Sequence, residues 1–158
     1  MFRMVQDEGD LARLETALRS LSADIGEDYA TDSATLARAV LGTQSAALGL
    51  LALRVESTQG AALFSPSFST VRGAAGVYVS DLWVSPEARG QGLGARLLAH
   101  IAQEGAARWG ATWLRLAAYH HSHEALRFYG RLGFMPANAQ QELRLGPEGF
   151  ATLIKRAE

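Results

Sequence analysis

A glycine-rich turn is the segment of this sequence with the clearest chemical potential. It reads Arg-Gly-Gln-Gly-Leu-Gly at residues 89–94, follows a strand-like segment that ends at Val84, and leads directly into residues at helical spacing. A helix N-terminus leaves backbone N–H groups without internal partners and carries a partial positive charge. Glycines let a phosphate approach this backbone without meeting a Cβ atom, and Arg89 can add a charge-assisted contact. The turn therefore predicts an anion site, although glycines alone could equally mark a turn that only caps a helix.

The two commonest nucleotide-binding motifs do not fit this turn. The Rossmann motif needs G-x-G-x-x-G directly after the first strand and an acidic partner about 20 residues further on. Here the glycines come late in the chain and are spaced differently. The Walker A motif needs Gly-Lys-Ser/Thr, which does not follow these glycines. Spacing alone therefore predicts anion binding without naming the anion.

Two further clusters carry titratable side chains. Histidines stand at His120, His121 and His123, but no nearby pattern supplies carboxylate ligands, so we expect no metal site. His120 or His121 is the better candidate for contact with a substrate, because both follow a predicted strand. The region after the first predicted helix is acidic and is either a solvated loop or a cover for a cationic ligand; it contains Asp24, Glu27, Asp28, Tyr29 and Asp32.

The elements that must position these residues follow from hydrophobic spacing. Strands are predicted at Phe2–Val5, Ala46–Val55, Ala61–Phe68, Gly76–Val84, Thr112–Ala118 and Gln141–Leu145. Helices are predicted to start at Asp10, to cover Ser33–Leu41 and Gly92–Arg108, to run from Ser122 to about Leu132, and to start at Pro147. In the clearest strand, Val77, Val79, Asp81 and Trp83 alternate against the residues between them. This order indicates a mixed α/β domain around one sheet.

Composition excludes several classes of function. The chain has 158 residues, 48% of them hydrophobic and 20% charged, which is typical of one domain with a buried core. A formal net charge of −1 gives no general attraction to nucleic acid or to an anionic membrane. The lack of cysteine excludes disulfides and a cysteine nucleophile. Apolar runs are far shorter than the ~20 residues of a membrane helix, and no secretory pattern opens the chain, so we expect a cytoplasmic protein.

Two blocks of sequence resemble the GNAT superfamily of N-acetyltransferases. The first, Val79–Leu98, contains the acetyl-CoA-binding motif Arg/Gln-x-x-Gly-x-Gly/Ala, which Arg89, Gly92 and Gly94 match. The second, Ser122–Phe134, resembles the signature Asn-x-x-Ala-x-x-Phe-Tyr-x-x-x-Gly-Phe. The blocks come in the family's order and at its usual separation.

This resemblance implies a fold and a site for acetyl-CoA. The fold would be a single α/β (α+β) domain over residues 1–158 with its core motifs at 76–136, built on a mixed, mostly antiparallel sheet of about six to seven strands flanked by helices. Two central strands, Gly76–Val84 and Thr112–Ala118, would splay apart to take the acetyl thioester of the cosubstrate. The residues implied in holding acetyl-CoA are Leu82, Trp83 and Val84 through main-chain atoms, Arg89, Gly90, Gln91, Gly92, Leu93, Gly94 and Ala95 in the turn, and Ser122 and Phe128 in the second block.

The resemblance also implies catalytic residues. Tyr129 matches the family's general acid, since a phenol with a reference pKa of about 10 can give a proton to the departing sulfur. An amine acceptor is mostly protonated at pH 7, and Asp81 is the nearest candidate by sequence for removing its proton, with a purely structural carboxylate as the equal alternative. Relatives that acetylate polyamines often have Glu-Asp where this chain has Ser80-Asp81, and Ser122 stands where the signature usually has asparagine. These departures weaken direct transfer of the base and cofactor-contact roles. A backbone N–H near Leu82 would stabilise the oxyanion.

The acceptor is implied only in outline. Because family members commonly cover the acceptor with the region after the first helix, Glu27, Asp28 and Tyr29 are candidates for binding a cationic amine. His120 is a further candidate because it follows a central strand. The leading hypothesis is an N-acetyltransferase acting on the primary amine of a small molecule. The alternatives are acetylation of a protein lysine or N-terminus, and a non-catalytic acyl-CoA-binding module, against which the presence of Tyr129 argues. A homodimer, common among relatives, would be the assembly, with no nucleic-acid or membrane partner.

Overall fold

A five-stranded sheet and three helices make up residues Met1–Tyr119, the first of two units in the chain. The computed structural model describes residues 1–55, 57–137 and 143–157. The strands are β1 (Phe2–Met4), β2 (Leu48–Arg54), β3 (Ser57–Ser69), β4 (Ala74–Val84) and β5 (Trp113–Leu116), and the helices are α1 (Glu8–Ile25), α2 (Ser33–Leu41) and α3 (Leu93–Trp109). The strands lie in chain order, antiparallel except for the parallel pair β4–β5. This confirms the mixed, mostly antiparallel α/β class, with five strands in the described residues rather than six to seven.

Helix α1 begins at Glu8, two residues earlier than the sequence predicts. Asp7, not Asp10, is the N-cap, and its carboxylate accepts a hydrogen bond from the backbone N–H of Asp10 at 2.8 Å. Asp10 is instead buried and forms an ion pair with Arg3 of β1. The helix ends at Gly26, which adopts a left-handed conformation with φ of 73°.

Strand ends also differ from the prediction. β2 covers Leu48–Arg54 of the predicted Ala46–Val55, and β3 begins at Ser57 rather than Ala61. β5 covers only Trp113–Leu116 of the predicted Thr112–Ala118. The shorter β5 leaves the last part of β4 without this neighbour.

The sheet separates two apolar layers. On one side α1 and α2 pack in a cluster that includes Leu14, Leu51 and Ala61. Gly60, next to Ala61, faces the other side, where an added Cβ would lie 2.9 Å from Leu97 of α3. Because successive strand residues point to opposite faces, α1 and α3 cover opposite faces of the sheet.

The second unit, His120–Glu158, contains helices α4 (His123–Arg131) and α5 (Pro147–Ile154) in its described part. Ser122 occupies the predicted N-cap position of α4, but its side chain makes no capping hydrogen bond. The predicted strand Gln141–Leu145 lies partly outside the described residues, and residues 143–145 form no strand. Within the described residues, no helix is both long and apolar enough to cross a membrane. The organisation of residues 1–158 as a single domain stays a prediction.

Candidate active site

Strands β4 and β5 part near the middle of β4. Their parallel pairing runs only from Gly76 opposite Trp113 to Val79 opposite Leu116. Beyond Val79, β4 continues to Val84 with β3 on one side and no strand on the other among the described residues. On that side, the main-chain groups of residues 80–84, a stretch that contains the predicted cofactor-binding Leu82, Trp83 and Val84, have no strand partner. Apart from the Val84 carbonyl, which accepts from Arg89, they can therefore take an extended ligand.

A β-bulge lies at the point where the two strands part. Phe64 and Leu63 are adjacent in β3, yet they pair with Val79 and Asp81, so Ser80 is an extra residue in β4. The Ser80 hydroxyl donates to the backbone carbonyl of Leu63 at 3.1 Å. The bulge is thus held in place by the strand it interrupts.

The bulge divides β4 into two parts whose odd-numbered residues face opposite sides of the sheet. Before it, Val77 lies against Gly105 of α3. After it, Trp83 packs with the cluster beneath α1 and donates its indole N–H to Asp24 of α1 at 3.2 Å. The predicted regular alternation, with Val77 and Trp83 on one face, is therefore wrong. Asp81 falls on the α1 side because it follows the extra residue.

Asp81 has the electrostatic character of a base. It is half-buried, and burial raises the pKa of its carboxyl above the ordinary value, although a hydrogen bond with Ser80 acts in the opposite direction. In the described part of the chain, Asp81 has no ion-pair partner. Its charge also helps to raise the pKa of the Tyr29 phenol, so the two side chains are electrostatic neighbours. A carboxylate of raised pKa accepts a proton more readily than an exposed one.

The glycine-rich turn has the backbone conformation that its sequence predicts. Gly90 and Gly92 both have φ of 74°, and an added Cβ at either position would meet no atom within 4 Å. Gly92 is the N-cap of α3 and has no side chain to cap the helix. The first backbone N–H of α3 that donates to a backbone carbonyl is that of Arg96, which bonds to Gly92 at 3.2 Å. The backbone N–H groups from Gly90 to Ala95 have no backbone acceptor among the described residues. These N–H groups and the space beside them fit an anionic group.

Arg89 makes contacts that the sequence does not predict. Its Nε donates to the backbone carbonyl of Val84 at 3.0 Å, and its Nη2 donates to Asp24 at 2.5 Å. Further along the turn, the side-chain amide of Gln91 donates to the backbone carbonyl of Glu87 at 2.7 Å. The side chain of Leu93 is buried. Arg89 therefore links the turn to α1 and to the end of β4.

The acidic segment after α1 lies on the same unit as Asp81 and the turn. Glu27 accepts a hydrogen bond from the Tyr119 hydroxyl at 2.7 Å, and Asp28 is exposed. The Tyr29 hydroxyl is buried and has no hydrogen-bond partner among the described residues, while the Arg19 guanidinium lies 4.3 Å from the centre of its ring. Burial, followed by the charge of a nearby carboxylate, raises the pKa of Tyr29. Glu27 is thus fixed in position, and Tyr29 offers an unsatisfied hydroxyl.

Tyr129 belongs to the second unit and lies between two aromatic rings. The centre of its ring is 5.1 Å from that of Phe128 and 5.5 Å from that of Phe134. Burial raises the pKa of its phenol, so the side chain is protonated across the neutral range. His120 and Ser122 belong to the same unit. Within the described residues, no group of three or more histidine and carboxylate side chains could hold a metal ion.

Three features of the site have no local signal in the sequence. They are the bulge at Ser80, the Tyr119–Glu27 hydrogen bond and the contacts of Asp24 with Trp83 and Arg89. Each depends on residues that are distant in sequence. Only the acidic character of the segment that contains Asp24 could be read beforehand.

Comparison with known families decides what kind of domain carries this geometry. Residues 47–136 match the family model described as the acetyltransferase (GNAT) domain, which is more than half of the chain. The chain belongs to the GNAT acetyltransferase family. The matched residues of this GNAT domain run from the start of β2 to the end of the second sequence block and include Asp81, the turn and Tyr129.

This GNAT domain is similar in sequence to part of a curated acetyltransferase. A curated relative, the thialysine N-epsilon-acetyltransferase of Bos taurus, is 38% identical over 74 residues, which are 47% of this chain and 42% of that protein. The chain thus matches less than half the length of this relative.

Solved structures show the same fold at low identity. An integron cassette protein from the mobile metagenome of V. cholerae has a TM-score of 0.78 at 23% identity, over 98% of this chain and 97% of that one. The ribosomal-protein-alanine N-acetyltransferase of Brucella melitensis biovar Abortus 2308 has a TM-score of 0.73 at 18% identity, over 92% and 99%. These two likenesses concern the fold alone.

Proposed function

We propose that this GNAT domain transfers the acetyl group of acetyl-CoA to a primary amine. The observation that carries the proposal is the combination, in one unit, of an unpaired edge of β4 with the uncapped turn that follows it. A pantetheine arm needs main-chain partners along an extended path, and a pyrophosphate needs convergent N–H groups at its end. The edge at Leu82–Val84 and the amides of Gly90–Ala95 supply these two requirements in that order.

We propose that Asp81 removes the proton of the acceptor amine. The ammonium form, with a reference pKa of about 10.4 for a lysine-like amine, cannot attack a carbonyl carbon. The raised pKa of Asp81 and its lack of an ion-pair partner in the described residues support this role. A backbone N–H near Leu82 is the proposed donor to the thioester oxygen.

Tyr129 is the proposed general acid. When the amine nitrogen bonds to the carbonyl carbon, the carbon–sulfur bond breaks, and the sulfur takes a proton from the phenol. The nitrogen loses its second proton to solvent as the amide forms. The phenolate then recovers a proton from solvent. The aromatic neighbours Phe128 and Phe134 keep the phenol in its neutral, proton-donating form. This assignment rests on the family's Phe-Tyr signature, which Phe128 and Tyr129 match.

The acceptor in this proposal is a small cationic amine. Tyr29, an electrostatic neighbour of Asp81, offers a buried hydroxyl with no partner among the described residues. Glu27 and Asp28, in the same segment of the chain as Tyr29, add negative charge. The curated relative is named for acetylation of thialysine, which is compatible with such an acceptor. A cytoplasmic location and a homodimer, both expected from the sequence, belong to the same proposal.

A binding assay followed by an amine screen tests the proposal. Acetyl-CoA should bind the wild-type protein in calorimetry, and thiol release should accompany turnover of at least one small amine in a broad panel. Tyr129→Phe should lower the turnover number by ~10²-fold or more while leaving the Kd of acetyl-CoA within about twofold. Failure to bind acetyl-CoA would refute the proposal. Turnover of lysine-containing or N-terminal peptides alone would replace the small amine by a protein acceptor.

A further inference from the structure

Asp24 stands out because one carboxylate oxygen serves two parts of the cofactor site. Its Oδ2 accepts from the Trp83 indole at 3.2 Å and from Nη2 of Arg89 at 2.5 Å. Trp83 lies on the part of β4 that pairs with β3 but not with β5, and Arg89 opens the glycine-rich turn. Asp24, close to the end of α1, therefore contacts both parts of the proposed cofactor path.

The contact with Asp24 leaves part of the Arg89 guanidinium without a hydrogen-bond acceptor among the described residues. An arginine presents its five N–H groups on two edges of a rigid plane, one formed by Nε with Nη2 and the other by Nη1 with Nη2. In Arg89 the first edge is occupied, since Nε donates to the Val84 carbonyl and Nη2 to Asp24. No described residue accepts a hydrogen bond from Nη1, and about half of the side chain, 51%, is exposed.

We propose that Asp24 is a positioning residue for cofactor binding, which holds Arg89 by one edge so that the other edge is presented to a phosphate. Without Asp24, the long side chain of Arg89 loses its charged partner and must be ordered again when the ligand binds, at a cost in affinity. The Val84 carbonyl alone fixes one N–H and leaves the guanidinium plane free to turn. Asp24 itself touches no ligand and acts through Arg89. This inference rests on the proposed function, because it takes the phosphates of coenzyme A as the anion.

A double-mutant cycle with coenzyme A as the probe tests the inference. Asp24→Ala should raise the Kd of coenzyme A about fivefold, as expected for the loss of one exposed charge-assisted contact. Asp24→Asn should recover part of this loss, because its amide oxygen can still accept from both donors. In an Arg89→Gln background, Asp24→Ala should change the Kd by less than about twofold, because its effect passes through Arg89.

Glu104→Ala is a matched control for loss of an exposed ion pair. Glu104 accepts from Arg108 at 2.8 Å on α3, and its side chain is 35% exposed, against 39% for Asp24. This control should leave the Kd of coenzyme A within about twofold. Melting temperatures of all variants show whether each is folded, and Asp24→Asn keeps the test valid should Asp24→Ala not fold.

The outcomes separate this inference from the proposed function. An unchanged or lower Kd in Asp24→Ala would overturn the positioning role, while binding by the wild-type protein would leave the proposed function intact. An equal loss in the wild-type and Arg89→Gln backgrounds would also overturn it, because Asp24 would then act on the fold and not through Arg89. A wild-type protein that does not bind coenzyme A would refute the proposed function and this inference together.

Discussion

Two glycines with the same left-handed backbone conformation allow the effect of a substitution on cofactor binding to be separated from its effect on stability. Gly92 in the turn has φ of 74°, and Gly73 between β3 and β4 has φ of 63°. An added Cβ would meet no atom within 4 Å at either position, so alanine brings no clash with the protein. Only the left-handed backbone is penalised, by about 1–2 kcal/mol in each case. For a chain of this length, each substitution should lower Tm by about 2–8 °C.

The two variants should differ in ligand binding. At Gly92 the new Cβ would stand where the phosphates approach the amides of the turn, so one or two charge-assisted hydrogen bonds would be lost, each contributing about 1.5–3 kcal/mol. Gly92→Ala should therefore raise the Kd of acetyl-CoA at least ~10-fold, while Gly73→Ala should leave it unchanged. Calorimetric titration with acetyl-CoA measures the Kd values, and thermal unfolding measures the matched penalties. Equal affinity of the two variants would refute the assignment of the turn as the pyrophosphate site.

Two further predictions concern charge and packing in the first unit. Because the pKa of Asp81 in the folded protein is raised, its ionisation costs stability, so Asp81→Asn should raise Tm at pH 7 and lose this advantage below about pH 3.8. Asp28→Asn, a control at an exposed position, should change the free energy of unfolding by no more than about 0.5 kcal/mol. A gain in Tm of Asp81→Asn that does not depend on pH would contradict the reasoning. Gly105→Ala would place a Cβ 2.3 Å from Val77, so it should destabilise the fold by about 1–3 kcal/mol despite the better helix propensity of alanine, as measured by urea unfolding. Gly130→Ala in α4, where a Cβ would meet nothing within 4 Å, is its control and should not destabilise; similar losses in both variants would refute the close packing of α3 on β4.

Features with local causes could be predicted from the sequence. Helix α2 has the predicted bounds, since Asp32 caps it and Gly42 follows it, and α5 starts at Pro147 as predicted. The left-handed glycines of the cofactor turn also follow from their own residue type. Helix α1 starts before the predicted Asp10 because Asp7 caps it, while Asp10 forms an ion pair with Arg3 of β1.

Features of the site that join distant segments could not be predicted. The Tyr119–Glu27 hydrogen bond spans 92 positions of the chain, and the Arg89–Asp24 pair spans 65. Neither contact has a periodic or local pattern, since each forms only when the sheet brings the ends of its strands beside α1. The sequence therefore predicts the residue types of the site better than their partners.

The bulge at Ser80 explains why the site lies where the regular pattern of β4 fails. Pairing with β5 stops at Val79, the residue before the bulge, and the unpaired edge begins at the extra residue. The same extra residue places Asp81 on the α1 side, beside Tyr29, and not on the α3 side with Val77. A strand of regular alternation would keep Asp81 beneath α3, away from the acidic segment, because side chains alternate strictly along an uninterrupted strand. One inserted residue thus accounts for both the orientation of the proposed base and the position at which the main chain becomes free to bind.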